Sequence, residues 1–296
     1  MDTNKIPLFP DFVDLDVSHK DFIEDFVAKY PPDSNYNFVC LYSYGIGYIK
    51  LSLLNDNLVT IAPDVLDEKI NVSFIGSNKI EDTIKTLLDY SEKEFGIDHL
   101  KLIPECSINQ VSNFKFFVDD ENSDYILSVE RMYTFEGKSL RGKRNLLNRF
   151  NKEYGADILS LNFKNPRTKR QVLKLFGVWL SNKNTEENCF IERDAVNELM
   201  NSPVALGESI GVYVDGILIA FVIYEIKGEY CLLHFWKYDI THIGIAAFTL
   251  QALAEKALDK GCKYINIEQD LGLKGLRESK KQLCPVNMFK TYIIKK

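Results

Sequence analysis

Apolar positions along this chain recur at two different periods, and the alternation between them marks out the elements. In "SHKDFIEDFVAKY" (Ser18–Tyr30) they fall at helical spacing, which predicts an amphipathic helix with Ser18 as N-cap and Pro31-Pro32 as its stop. The runs "FVCLYSY", "IGYIKLSLL" and "LVTIAP", separated by Gly, Asn and Asp, read as short strands. Ile80–Gly96 is a helix closed by its glycine, and His99–Glu105 is a strand. The acidic, polar stretch Val118–Tyr125 is the expected main boundary. Beyond it come helices in "GKRNLLNRFNKEYG", "NPRTKRQVLKLFGVWLSNK" and "ERDAVNELMNS". A meander of three strands follows, "ESIGVYVDG", "ILIAFVIYEIKG" and "EYCLLHFWKYD", with Asp215-Gly216 as a hairpin turn. The chain then runs through a helix, Ile243–Gly261, into the strand "KYINIE".

The segments "IKTLLDYSEKEFGIDHLKLIPE" and "LQALAEKALDKGCKYINIEQD" share one design: helix, glycine stop, short turn, apolar strand, terminal acid. Each follows a meander, which predicts an internal duplication about 165 residues apart. The expected organisation is residues 1–120 as a first domain without a donor site and residues 121–296 as a second domain carrying the chemistry. Helix, meander, long helix and strand is an order that resembles the GNAT (N-acetyltransferase-like) domain. The expected fold class is therefore α+β, two tandem GNAT-like domains, each a mixed, mostly antiparallel sheet flanked by helices.

Composition changes this picture through charge. The 296 residues are 46% hydrophobic, enough for a substantial core, and carry a net charge of −6. Residues 1–130 hold 10 Lys/Arg against 24 Asp/Glu, whereas residues 131–174 hold 12 against 3. A basic island in an acidic chain suits a polyanion, and equally a solvated helix face. The N-terminus "MDTNKIPLFPDF" has no basic or long apolar secretory region, and no stretch is apolar enough to span a bilayer. Six scattered cysteines without C-x-x-C spacing read as reduced thiols of a cytoplasmic protein. The four histidines are too dispersed to predict a metal site, and neither a P-loop nor a G-x-S-x-G elbow occurs.

Candidate chemistry concentrates in "NIEQDLGLKGLRESKKQLCP" (Asn266–Pro285). Glu268 and Asp270 stand at i and i+2, so on a strand they would share a face and either could serve as a general base. Asp270 also suits an N-cap for the following helix. Gly272 and Gly275 relax the backbone, which would let Arg277 and Lys280 return over the strand end to hold an anion. The plainer alternative is a salt bridge from Arg277 to one of the acids. His234 and Lys237, in "HFWK", are further candidates, against a reading as ordinary strand residues. Lys143, Arg144 and Asn145 open a basic helix whose stripe could track phosphates or simply face solvent, with an arginine holding a loop.

The motifs "GKSLRGKRNLLNRF", "HFWK" and "NIEQDLGLKGLRESKKQLCPV" together resemble the C-terminal domain of phosphatidylglycerol lysyltransferases and their soluble relatives. The resemblance covers about residues 124–296, and it extends to the whole chain if the family's tandem GNAT-like module is matched throughout. It implies transfer of an aminoacyl group from a charged tRNA to an amine or hydroxyl acceptor, a lipid head group in the best known members. Under it Glu268, Asp270 and His234 are candidate catalytic groups. Arg277, Lys280, Lys237, Lys143, Arg144 and Asn145 bind substrate, and segment 131–174 meets tRNA or an anionic lipid head group. The family often shows an acid where this chain has Trp236. No cofactor is required by this reading. Two rivals stand beside it: a catalytically silent module that binds RNA or anionic lipid, and an acyl-CoA N-acyltransferase. For the second, "THIGIA" offers Gly244 and Ala246 as half of a GNAT phosphate loop at a helix N-terminus, with Thr241 in place of the usual leading Gln/Arg.

Overall fold

The computed structural model describes residues 6–64, 69–108, 111–182 and 189–296. In chain order, β1 (Val13–Asp14), α1 (Lys20–Val27), α2 (Phe38–Gly45), β2 (Lys50–Leu54), β3 (Asn57–Pro63), β4 (Ile70–Ile75), α3 (Ile80–Phe95), β5 (His99–Pro104) and β6 (Lys115–Val118) come first. They are followed by β7 (Asp124–Ser128), α4 (Val129–Thr134), α5 (Arg141–Glu153), β8 (Ala156–Leu159), α6 (Pro166–Ser181), α7 (Cys189–Asn201), β9 (Glu208–Val214), β10 (Ile217–Lys227) and β11 (Tyr230–Tyr238). The last elements are α8 (Ile245–Asp259), β12 (Tyr264–Asn266), α9 (Lys274–Lys281), β13 (Asn287–Phe289) and β14 (Thr291–Lys295). This is the expected α+β order of helices and mostly antiparallel strands. Among the described residues no helix is long and apolar enough to cross a membrane.

Two compact units emerge, Met1–Asp124 with Gln269–Gly272 and Met288–Lys296, and Tyr125–Glu268 with Leu273–Asn287. The chain first passes from one unit to the other at Asp124/Tyr125, where the sequence reading divides it at 120/121. The linear division assigned the chain's end to the second domain, but β14 pairs antiparallel with β5 and β6 of the first unit.

The first unit holds the sheets β1-β2-β3-β4 and β5-β14-β6. Val59, Ile61, Phe74, Ile84, Leu87, Leu100, Ile103 and Ile294 form its core. Helix α3 places Ile84, Leu87 and Leu88 on that core and ends where Gly96 turns left-handed at φ 69°. The run "FVCLYSY" is a helix rather than a strand. Asn37 accepts hydrogen bonds from the N–H groups of Val39 and Cys40 and so starts α2, which is buried nearly all round. A short, uniformly apolar run carries no period that separates the two states, and here the cap decided. Strands β4 and β5 belong to different sheets. Tyr36, 2% exposed, fills the space between them, its hydroxyl bonding Ser73 of β4 and the Leu102 carbonyl of β5.

The second unit is built on the strand order β7-β12-β11-β10-β9-β8. The β9–β10 hairpin turns at Asp215 (φ 51°) and Gly216 (φ 76°), as its sequence predicts. Helix α8 is the crossover that lets β12 lie parallel to β11. Phe150, Val212, Ala220 and Ile245 pack together beneath α5 and α8, with Phe248 and Tyr238 at their edge.

Candidate functional site

Strands β11 and β12 part company early. They pair at Tyr230↔Tyr264, Cys231↔Ile265 and Leu232↔Asn266, after which β11 continues to Tyr238 unpaired with β12. Residues past β12 stay with the other neighbour instead. The Ile267 N–H donates to the Tyr125 carbonyl at 3.0 Å, and the Tyr125 N–H donates to the Glu268 carbonyl at 3.1 Å. The ladder therefore breaks on the β11 side of Glu268, leaving a gap that side chains rather than main-chain hydrogen bonds span.

Two backbone irregularities face that gap. On β11, Leu233 pairs with Tyr224 while Phe235 pairs with the adjacent Ile223, so His234 is the extra residue of a β-bulge. Its side chain thereby escapes the simple alternation with Leu233 and Phe235 that the sequence implies. Opposite it, Glu268 adopts a left-handed φ of 61°, held by its N–H donating to the Asn266 side-chain oxygen at 2.8 Å. The expected strand "KYINIE" thus ends at Asn266, and Glu268 and Asp270 do not share a strand face.

Across the gap His234 Nδ1 lies 2.9 Å from Glu268 Oε1, and its Nε2 lies 3.2 Å from Glu225 Oε2. Lys227 Nζ stands 3.4 Å from Glu225 Oε1. The imidazole is buried, Glu225 nearly so, and Glu268 partly open. Burial alone would depress the His234 pKa. Hydrogen bonds to Glu225 and Glu268, and their charges, outweigh it and raise the value to about 9. His234 is therefore an imidazolium donating from both nitrogens at neutral pH, which orients carboxylates rather than accepting a proton. The raised pKa fixes the sign of the linkage: this group's stabilisation is complete below its ordinary pKa and is lost as pH rises through about 9. Nitrogen-15 NMR should find both ring nitrogens of His234 protonated at pH 7; a neutral ring there would contradict the arrangement.

Glu225 was missed in the sequence. The available signal was a lone acid inside the otherwise apolar β10 run "ILIAFVIYEIK", at 8% exposure.

The remaining candidates separate. Lys280 does return to the strand end: its Nζ donates to the Ile267 carbonyl at 2.5 Å and lies 6.0 Å from the centre of the Tyr125 ring. Arg277, one turn earlier on α9, is half-buried. Asp270 is fully buried in the first unit and accepts from the Gly272 N–H at 2.9 Å. The α9 N-cap is Leu273, without a side-chain cap, so the expected capping by Asp270 is not made. Lys237 is 5% exposed; Glu192 of α7 takes its ammonium, which also lies over the rings of Trp179 at 4.4 Å and Phe176 at 5.5 Å. It serves the α6–α7 layer. Trp236 pairs with Val222 and neighbours Tyr238, on the opposite face of the sheet from the one Glu225 and Lys237 share. Its indole N–H is buried without a partner among the described residues.

On α5, Arg144 donates to the Phe135 carbonyl at 2.6 Å and so closes the left-handed end of α4, the loop-holding alternative. Lys143 and Asn145 line an open groove of ≈ 700 Å³ with Arg149 and Gln282. Gly244 opens α8 at φ 94°, where a Cβ would sit 2.2 Å from the Leu146 carbonyl oxygen of α5. This close packing already requires a glycine, and the half-buried Ala246 follows it inside α8.

Residues 74–295 match the family model described as phosphatidylglycerol lysyltransferase, C-terminal. No curated protein matches the chain. Among solved structures, a conserved protein of unknown function from Bacteroides thetaiotaomicron superposes with a TM-score of 0.83 at 23% identity, covering 96% of this chain and 98% of that one. L-PGS from Bacillus licheniformis gives 0.63 at 16% identity, covering 99% and 94%. At these identities the structural likeness speaks for a shared fold.

Proposed function

The chain belongs to the phosphatidylglycerol lysyltransferase C-terminal family, and from that premise we propose that it transfers an aminoacyl group from a charged tRNA to an amine or hydroxyl acceptor. The observation that carries the reading is the buried Glu225–His234–Glu268 array at the point where β11 leaves β12. Glu268 takes the proton of the attacking N–H or O–H as the new bond forms at the ester carbonyl. The ester C–O bond to the ribose then breaks, and Glu268 returns the proton to the leaving ribose oxygen. Arg277 and Lys280 on α9 stabilise negative charge near the strand end, and Lys143, Asn145 and Arg149 hold phosphates in the α5 groove. These cations suit the tRNA backbone and an anionic lipid head group alike. The protein acts in the cytoplasm in this reading.

Packing against α5 by itself explains why Gly244 is a glycine, which favours the aminoacyl donor over an acyl-CoA. The direct experiment incubates the protein with charged tRNAs and candidate acceptors, including phosphatidylglycerol vesicles. Accelerated loss of the aminoacyl ester with product on one acceptor is expected. Inertness toward every aminoacyl-tRNA would reject the proposal, and turnover of an acyl-CoA instead would favour the rival donor.

A further inference from the structure

We propose that Glu225 is a positioning residue for this transfer, fixing the Glu268 carboxylate at the edge of the β11–β12 gap through the His234 imidazole. The inference rests on Glu268 being the proton acceptor of the proposed reaction. Glu225 occupies a sheet position whose other residues, Ile223 and Phe221, are fully buried and apolar. An acid there is costly unless its charge is used. Its Oε2 holds Nε2 of His234 at 3.2 Å, while Nδ1 of the same ring meets Glu268 Oε1 at 2.9 Å. A ring bound at both nitrogens has its plane and its tilt fixed, so the far carboxylate inherits a defined orientation. The irregular backbone is placed to permit this: the bulge turns His234 toward Glu225, and the left-handed Glu268 presents its carboxylate to the ring. A sheet needs neither feature for its own ladder. Bulges, strained residues and buried charge pairs gather where side chains must be aimed. The arrangement parallels an orienting carboxylate behind a histidine, with the difference that this ring passes the orientation to a second carboxylate.

The test is Glu225→Gln in the full chain. In the transfer assay kcat is expected to fall by about 10- to 100-fold with KM changed by less than about threefold. Nitrogen-15 spectra of His234 should move from the doubly protonated ring toward a neutral tautomer, and the carboxyl carbon of Glu268 should shift. Glu225→Asp, which restores the charge, should recover part of both signals. Unchanged kcat overturns the proposal, as does a silent Glu268 carboxyl signal. If the wild-type chain turns over no aminoacyl ester, the functional reading fails on its own, and the two spectra still decide whether Glu225 controls Glu268.

Discussion

Glu268→Gln should lower kcat for aminoacyl transfer by about 10²- to 10⁴-fold, the range expected for removing a general base. Glutamine is nearly isosteric and still offers an oxygen to His234 Nδ1, so the gap between β11 and β12 keeps its shape. What it cannot do is accept a proton from the acceptor group. Binding of charged tRNA should be retained, because the cations on α5 and α9 are untouched. Single-turnover transfer, a binding titration and a melting curve on the same preparation separate these effects. Transfer within threefold of wild type would remove Glu268 from the mechanism, and loss of folding would leave Glu225→Gln as the cleaner variant.

The second large effect concerns stability. Gly244→Ala should destabilise the second unit by about 2–5 kcal/mol, combining overpacking with a strained left-handed residue. The added Cβ would sit 2.2 Å from a main-chain oxygen of α5, at Leu146, and 2.9 Å from the Phe150 Cβ, so α5 and α8 must separate. Gly261→Ala supplies the matched control. Its φ is 78°, but nothing lies within 4 Å of the new Cβ, so only the conformational cost of about 1 kcal/mol remains. Denaturant midpoints of the two variants check the difference. Equal midpoints would mean that the close approach of α5 and α8 does not limit Gly244.

Helix α3, the Asp215-Gly216 turn and the β9–β10–β11 meander were legible because each is encoded by neighbours in the chain: a helical period with a glycine stop, a turn pair, alternating apolar runs. The short run that became α2 was not, since its uniform hydrophobicity suits either state until Asn37 caps it. Lys237 was attractive as a cation at a strand end, yet its fate depends on Glu192, Phe176 and Trp179 from other helices. Asp270, expected as a general base or a helix cap, lies buried and accepts from the Gly272 N–H instead, because the chain turns before α9 begins. Arg144 and Gly244 each admit a ligand role and a packing role in the sequence, and the contacts where α5 meets the end of α4 and the start of α8 supply the packing role.

The amino-acid order alone determined the α+β design, the family likeness and the acids and cations clustered after the buried strand that ends at Asn266. The tertiary structure alone decided that Glu268, His234 and Glu225 form one array. His234 stands 9 residues from Glu225 and 34 from Glu268. What joins them is a register shift in one ladder and the early end of another. Both are set by how whole strands pack, and no local spacing of side chains records where a ladder slips or stops.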